Sequence, residues 1–317
     1  MSLGRSTLDR LLRQHGLRKP TRAPAKIYRR RLRFSAEGRL LQMDASPFAW
    51  LEERGPKMAL LGAVDNATGK IVVLLFRPTE DQAGYITLLR LIAVTYGLPA
   101  AVYHDRHTIL RSPKEPTLAD ELAGKVPMSQ VQRLLAELGI ASIPAHSPQA
   151  KGRVERLWGT LQDRLVKEMR LAGITSLEVA NAFLPHFSER YNARFAKPPR
   201  DAQSDWVPLP EGLDLVYHFA AREERTVRAG HCVQWQGQML QLVLKTGEPS
   251  LERKKVNVHV VPEGVVYLYD GKCRLDYGRL EAPLSATAVM APPALRAPKT
   301  PDPRAKAKQR AWLFAGT

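Results

Sequence analysis

The chain has 317 residues, of which 44% are hydrophobic and 25% charged, as in globular proteins large enough for two folded domains. No apolar run approaches the roughly 20 residues that would span a bilayer, and the first residues contain no apolar segment of the secretory type. The two cysteines, Cys232 and Cys273, form neither a disulfide framework nor a cysteine-rich zinc site, so a reducing cytoplasm is the expected compartment.

The net charge of +17 is concentrated at the two ends of the chain. Residues 1–33 hold eleven Lys or Arg and one acidic residue, and residues 286–317 hold six and one. Cationic arms gain free energy from counterion release when they neutralise phosphates, so this pattern favours a nucleic-acid partner. The alternative is a pair of solvated tails that increase solubility. A membrane surface is less favoured, because no basic amphipathic helix with a strong apolar face accompanies the charge.

The first part of the chain predicts one short helix at residues 6–14, which Gly16 ends. After a linker, an arginine run that contains Arg29, Arg30 and Arg31 is a candidate DNA-binding segment. A single short helix cannot bury its own apolar face. It therefore either packs on the body of the protein or is the end of a larger domain.

Residues 40–200 predict a mixed sheet with helices on its faces. Apolar and β-branched runs that end in turn residues predict five strands, at 40–45, 57–64, 71–76, 100–103 and 140–143. Periodicity and start signals predict four helices, at 84–96, 129–138, 147–171 and 175–195. This order of elements resembles an RNase H-like α/β fold, a mixed five-stranded sheet flanked by helices.

Two of these helices have recognisable start signals. Ser147 suits the N-cap position of a helix, and the proline that follows it suits the first helical position. Thr175 and Glu178 have the spacing of a capping box, so the last helix is expected to begin at Thr175, and Pro185 is expected to kink it. Residues 108–127, rich in Pro, Lys and Glu, are interpreted as an inserted loop.

Residues 220–282 contain short β-rich segments separated by glycine turns. Strands are expected at 232–235, 239–244, 256–261 and 265–269, which together predict a small barrel or sandwich. The remaining residues are rich in Ala, Pro and Lys and are expected to be disordered. The predicted organisation is a basic N-terminal segment at 1–34, an RNase H-like core at 35–200, a small all-β domain at 215–283 and a disordered basic tail at 284–317.

Three carboxylates stand where this fold could bring them together. Asp44 is on the first strand, Asp105 directly follows the fourth strand, and Glu155 is on the second turn of the helix that is expected to start at Ser147. In an RNase H-like sheet the first and fourth strands are neighbours, and this helix packs across their ends. Three carboxylates suit Mg²⁺ or Mn²⁺, and two such ions could activate a hydroxyl at a phosphodiester. Each acid taken alone has an ordinary explanation as a surface residue.

The sequence around these acids resembles a known family. His146-Ser-Pro-Gln-Ala-Lys-Gly-Arg-Val-Glu155 closely resembles the segment that carries the last acidic residue of DDE transposases and retroviral integrases. Leu41-Gln-Met-Asp44, Gly97-Leu-Pro-Ala-Ala-Val-Tyr-His-Asp105 and Tyr191-Asn-Ala-Arg-Phe195 extend the likeness to the integrase-core transposases of ISNCY-type insertion sequences, over roughly residues 40–200.

This resemblance implies a catalytic and metal-binding triad of Asp44, Asp105 and Glu155. It also implies two Mg²⁺ ions, which Mn²⁺ can replace, and strand cleavage at transposon ends followed by attack of the freed 3′-hydroxyl on target DNA. The implied partners are double-stranded DNA, at transposon ends and target, and further copies of the chain, because two ends must be joined. The implied location is the bacterial cytoplasm, at the nucleoid.

The helix that carries Glu155 also offers candidate phosphate contacts. Lys151 lies one turn earlier on the same face, and we favour a DNA contact over the alternative, an i,i+4 ion pair with Glu155. Arg153 and Arg156 point elsewhere on the helix and are either phosphate ligands further out or solvated side chains.

Other polar residues near the triad are interpreted as structural. Asp65 lies in a turn between strands, where Asp usually bonds its own backbone. His104 and His107, which flank Asp105, are expected to be polar loop residues, and the alternative is a role in orienting a metal ligand or in contacting DNA. Trp50 is expected to pack at the sheet edge.

Two other functions remain open. Transposases of this type normally carry a complete helix-turn-helix region before the core, and here only residues 6–14 resemble the end of one. The chain is therefore expected either to be truncated or to begin at an internal Met. The second hypothesis is a DNA-binding protein that keeps the fold without catalysis. A ribonuclease acting on RNA–DNA hybrids is the third hypothesis, which the β-rich module and basic arms make less favoured.

Overall fold

The computed structural model describes residues 5–15, 33–105, 107–110, 112, 116–122, 124, 126–145, 152–245 and 247–280. They divide into two compact units, one formed by the described residues up to Arg222 together with 260–265, the other by 223–259 and 266–280. Within these ranges, no helix has both the length and the apolar character needed to cross a membrane. The predicted tail at 284–317 lies outside the described residues.

The first unit contains a five-stranded sheet in the order β3-β2-β1-β4-β5. Its strands are β1 (Leu41–Phe48), β2 (Met58–Asp65), β3 (Ile71–Arg77), β4 (Ala101–His104) and β5 (Ala141–Pro144). Strands β1, β2 and β3 pair antiparallel, whereas β4 is parallel to β1 and β5 is parallel to β4. This order and these directions are those of the RNase H-like fold, so the predicted fold is confirmed.

Seven helices are described in this unit. They are α1 (Arg5–Gln14), α2 (Gln82–Tyr96), α3 (Leu118–Leu122), α4 (Gln130–Glu137), α5 (Gly152–Leu171), α6 (Leu177–Phe195) and α7 (Leu215–His218). The loop predicted at 108–127 therefore contains one short helix, α3, which the Pro- and Lys-rich composition concealed. The helix start predicted at Ser147 lies outside the described residues.

The sheet is buried on both faces by helices. Alternate residues of β2 pack into the apolar clusters on opposite sides of the sheet, because successive side chains of a strand point to opposite faces. Leu61 and Ala63 belong to the apolar cluster that contains α2 and α4. Leu60 belongs to the cluster that contains α5, α6 and the fully buried Trp50. Every residue of β2 is consequently buried, as expected of a strand inside a three-layer α/β unit.

The N-cap of helix α6 lies one residue later than predicted, so the capping box at Thr175 and Glu178 is wrong. The N-cap is Ser176, whose hydroxyl accepts a hydrogen bond from the backbone N–H of Val179 at 3.3 Å. The backbone N–H of Ile174 donates a hydrogen bond to the carbonyl of Met169 near the end of α5, so residue 174 still belongs to the turn that follows α5. Two adjacent hydroxyl residues could serve as the cap, and this turn decides between them.

Two asparagines of α6 cover the open edge of the sheet. Asn192 accepts a hydrogen bond from the N–H of Ile71 and donates one to its carbonyl, both at 2.8 Å. Asn181 makes the same pair of bonds with Phe76, at 2.7 and 3.1 Å. Strand β3 is at the sheet edge, where unpaired backbone groups invite pairing with other chains. The two amides therefore take the place of a neighbouring strand.

Replacing Asn192 by Ala should lower the free energy of unfolding by about 1–3 kcal/mol, because it leaves partly buried backbone groups of β3 without partners. Urea unfolding followed by circular dichroism measures the change. The matched control is Glu189→Ala on the same helix, since the Glu189 side chain is 81% exposed and should matter little. Equal stability of the two variants would contradict the edge-covering role.

A second sheet of six strands has the order β6-β9-β10-β11-β8-β7. Its strands are β6 (Ala221–Thr226), β7 (Cys232–Trp235), β8 (Gln238–Val243), β9 (Lys255–Val260), β10 (Val266–Asp270) and β11 (Cys273–Leu280). Neighbouring strands pair antiparallel, in a nearly closed, barrel-like sheet, which confirms the predicted all-β C-terminal region. Strands β6 and β11 were not predicted, because their charged residues interrupt any apolar run.

Candidate metal centre

Asp44 lies on β1, and Asp105 directly follows β4, the parallel neighbour of β1. The β1–β4 register pairs Leu41 with Val102 and Gln42 with Tyr103. Continuing this register by two residues sets Asp44 opposite Asp105, the residue that follows β4. Neighbouring strands are about 4.8 Å apart, and paired residues of parallel strands present their side chains to the same face. The register therefore brings these two predicted acids together.

The charges of the two aspartates also act on the pKa of the buried Tyr85. Burial raises the pKa of this phenol far above its ordinary value, and the negative charges of Glu80, Asp44 and Asp105 raise it further. Tyr85 is 1% exposed and donates a hydrogen bond of 2.8 Å to Glu80. Both candidate metal ligands thus lie within electrostatic range of one buried hydroxyl.

Helix α5 is fixed over β1 by two side-chain contacts. The indole N–H of Trp158 donates to Oδ2 of Asp44 at 3.1 Å. One helical turn later, the amide of Gln162 donates to the hydroxyl of Ser46 at 3.1 Å. Asp44 and Ser46 are two residues apart and so share one face of the strand. The helix consequently follows the strand on the face that carries Asp44.

Glu155 lies on the first turn of α5 and is exposed to solvent. It precedes Trp158 by three residues, which places both side chains on the same side of the helix. Within the described ranges, no group of three or more His, Cys, Asp or Glu side chains is close enough to hold a metal ion. The structure therefore sets Glu155 about one helical turn from Trp158, the residue that contacts Asp44.

His104 is a buried strand residue, and its prediction as a polar loop residue is wrong. It ends β4, is 1% exposed, and its Nε2 lies 2.8 Å from the hydroxyl of Ser142 on β5. Its Nδ1 lies against the carbonyl oxygen of Asp105, and the N–H of His107 bonds Oδ1 of Asp105 at 3.0 Å. Both ring contacts depend on the neighbouring strand and the local backbone, which the sequence alone does not give.

Asp65 and Trp50 have the structural roles expected of them. Asp65 is fully buried and accepts hydrogen bonds from the N–H of Gly38 and from the N–H and hydroxyl of Thr68. Trp50 is fully buried and donates its indole N–H to the carbonyl of Ser46 at 2.9 Å. Neither residue contributes to the candidate metal centre directly.

Most of the predicted DNA contacts cannot be placed. Lys151 and the arginine run at 29–31 lie outside the described residues, as does the side chain of Arg153, whose backbone is in the first turn of α5. The side chain of Arg156 is exposed on the same helix. These assignments remain predictions.

A groove of about 560 Å³ lies beyond Asp44 along β1. Its walls are formed by residues 47–49, 57–59 and 78–80, so they are mostly apolar with Lys57 and Glu80 as the charged members. Glu80 is the acceptor for Tyr85, which connects the groove to the surroundings of the two aspartates. The sequence did not indicate this groove, because its three segments are joined only by the β1–β2–β3 pairing.

Comparison with known proteins gives two curated relatives over most of the chain. The y4bF protein of Sinorhizobium fredii, whose name describes it as a candidate transposase, is 36% identical over 267 residues, which cover 83% of this chain and 57% of that protein. The transposase for insertion sequence IS1202 of Streptococcus pneumoniae is 33% identical over 216 residues, which cover 67% of this chain and 44% of that protein. The chain resembles insertion-sequence transposases. It spans about half the length of these two transposases, and no protein-family model matches it.

Solved structures with a similar chain path are retroviral integrases. The catalytic core domain of BIV integrase has a TM-score of 0.34 at 19% identity, and covers 46% of this chain and 79% of that chain. The integrase in a simian T-cell lymphotropic virus intasome has a TM-score of 0.40 at 15% identity, and covers 80% and 82%. Because these TM-scores are low, the assignment of the fold rests on the strand order and register. The two transposases of similar sequence are relatives of the kind that the sequence resemblance predicts.

Proposed function

We propose that the chain is a DDE transposase, which cleaves DNA at transposon ends in a metal-dependent reaction and transfers the freed 3′-hydroxyl to target DNA. The observation that supports the proposal is the parallel pairing of β1 with β4, whose register we extend to Asp44 and Asp105, in a chain that resembles insertion-sequence transposases. Two carboxylates at the ends of neighbouring strands offer oxygen ligands of the type that a divalent cation prefers.

The proposed metal ligands are Asp44, Asp105 and Glu155, which would hold two Mg²⁺ or Mn²⁺ ions. All their donor atoms are carboxylate oxygens, the type that these hard cations prefer. When bound, the ions would stabilise charge on the attacking and leaving oxygens of a phosphodiester. Because Glu155 is exposed on the first turn of α5, completing this site requires its carboxylate to turn towards the two aspartates.

The chain's own residues would orient these ligands and hold the DNA. The contacts of Asp105 with His104 and His107 restrict the segment that follows β4. We propose that Lys151, Arg153 and Arg156, together with the arginine run at 29–31, bind phosphates of double-stranded DNA. Joining two transposon ends to one target requires more than one active site, so a homo-oligomer on DNA is the proposed working form. The nucleoid of the bacterial cytoplasm is the proposed location.

Joining of a pre-cleaved duplex tests this function. A labelled oligonucleotide with the sequence of the parent element's end is incubated with the chain and a target plasmid, in Mg²⁺, in Mn²⁺ or in EDTA. We expect joined product in both metals and none in EDTA. DNA binding without joining in either metal would overturn the proposal in favour of a non-catalytic DNA-binding protein. Cleavage of an RNA–DNA hybrid in preference to duplex DNA would overturn it in favour of a ribonuclease.

A further inference from the structure

We propose that Trp158 is a positioning residue that orients the Asp44 carboxylate for metal binding, and that Gly62 is required for this contact. The inference rests on the proposed function, because it takes Asp44 as a metal ligand. It assigns a role to an aromatic residue of α5 that would otherwise count only as part of the apolar core.

The contact itself has the geometry of an orienting hydrogen bond. Trp158 is 7% exposed, so little water competes for its indole N–H, which lies 3.1 Å from Oδ2 of Asp44. A carboxylate has about four lone-pair sites on its two oxygens, and the indole is a donor only. The indole N–H on Oδ2 therefore restricts the rotamer of the Asp44 carboxylate.

A glycine in the sheet leaves the space that the indole occupies next to Asp44. In the β1–β2 register, the residue paired with Asp44 is Gly62. A Cβ atom on Gly62 would lie 2.9 Å from Cη2 of Trp158 and 2.8 Å from a methyl carbon of Leu74, closer than carbon atoms in proteins approach. Glycine weakens a strand and commonly marks a close approach of another group. Here the group that approaches Gly62 is the indole ring of Trp158, which donates a hydrogen bond to Asp44.

The position of the Trp158 indole along β1 is also restricted. Gln162 bonds Ser46 one turn after Trp158, so α5 is attached to β1 at two points. Leu161 and Leu165 on the same helix are fully buried in the cluster that contains Trp158. These contacts restrict the position of the indole relative to Asp44, as is expected of a residue that preorganises a metal ligand.

The competing explanation is that Trp158 only fills the core and that Asp44 merely satisfies its buried N–H. A core role changes stability alone, whereas an orienting role changes metal affinity as well. Groups that bond a metal ligand from outside typically contribute a factor of about 10–100 in metal affinity. Metal affinity, measured without DNA, separates the two explanations.

The test is calorimetric titration of the full chain with Mn²⁺, comparing the wild type with Trp158→Phe. Phenylalanine keeps an aromatic ring and removes the donor, so we expect the Kd for Mn²⁺ to rise about 10–100-fold. The matched control is Trp50→Phe, since Trp50 lies in the same cluster and donates its indole N–H to a backbone carbonyl. That variant should lose stability and keep the affinity for Mn²⁺.

A second variant approaches the same contact from the sheet. Gly62→Ala should displace the indole and weaken Mn²⁺ binding to a similar extent. In the double variant with Trp158→Phe, the two effects should not add, because phenylalanine lacks the outer ring atoms that a Cβ at residue 62 would meet. Additive losses would point to two unrelated defects and overturn the inference.

A measurement on the wild-type protein covers the case in which a variant does not fold. In ¹H–¹⁵N spectra, the indole N–H of Trp158 should shift as Mg²⁺ is added, while that of Trp50 should not. Unchanged Trp158 signals during saturable Mg²⁺ binding, or equal Mn²⁺ affinity of wild type and Trp158→Phe, would overturn the inference and leave the proposed function standing. A wild-type chain that binds no divalent cation would overturn both.

Discussion

Replacing Asp44 by Asn should reduce strand joining by about 10³-fold or more. The side chain keeps its shape and can still accept the Trp158 hydrogen bond, but it loses the charge that a divalent cation needs. Metal ions contribute several kcal/mol of charge stabilisation at a reacting phosphodiester, and about 4 kcal/mol corresponds to this factor. Joining of a pre-cleaved duplex in Mg²⁺, followed on a denaturing gel, measures the loss.

The control for Asp44→Asn is Asp163→Asn, which removes an exposed carboxylate of α5 that pairs with Lys167. This control should join DNA at the wild-type rate, and both variants should have the unfolding midpoint of the wild type within error. If Asp44→Asn joins DNA as well as Asp163→Asn, Asp44 is not a metal ligand and the DDE proposal is wrong.

Glu155→Gln is the corresponding test of the third acid. Because Glu155 is exposed and stands apart from the two aspartates, its place in the site depends on a movement of its side chain. We expect the same loss of joining as for Asp44→Asn. Normal joining by Glu155→Gln would leave Asp44 and Asp105 as a two-carboxylate site and remove Glu155 from it.

Asp65→Ala should lower the free energy of unfolding of the first unit by about 3–5 kcal/mol. The carboxylate is fully buried and accepts three hydrogen bonds, from the N–H of Gly38 and from the N–H and hydroxyl of Thr68. Each buried donor that loses its acceptor costs about 1–3 kcal/mol, and these donors lie where water does not easily replace the carboxylate. Urea unfolding monitored by tryptophan fluorescence gives the change.

The stability control is Asp163→Ala, because the Asp163 side chain is 63% exposed and its ion pair with Lys167 contributes little. It should change the free energy of unfolding by less than about 0.5 kcal/mol. Asp65→Ala should also keep the wild-type Mn²⁺ affinity at temperatures where it is folded. A stable Asp65→Ala variant that has lost Mn²⁺ binding would show that Asp65 acts in the metal centre instead of in the turn.

Several features could be predicted from the sequence because they depend on neighbouring residues. The strand at β2 follows from one continuous apolar run, and the role of Asp65 follows from the turn that begins there. The RNase H-like order of elements follows from the alternation of strand and helix periods along residues 40–200. The position of Asp44 on a strand and of Asp105 directly after one could be predicted for the same reason, together with the likeness of their surroundings to transposases.

Other features were decided by contacts between residues far apart in the chain. The β1–β4 pairing sets Asp44 beside Asp105, and Trp158 reaches Asp44 across 114 residues. Asn192 covers the edge of β3 across 121 residues. Sequence patterns report which face of an element is apolar, but they do not report the register between elements. That register is fixed by close packing, such as the space that Gly62 leaves for the indole, and so the orientation of the candidate metal ligands was decided only by the tertiary structure.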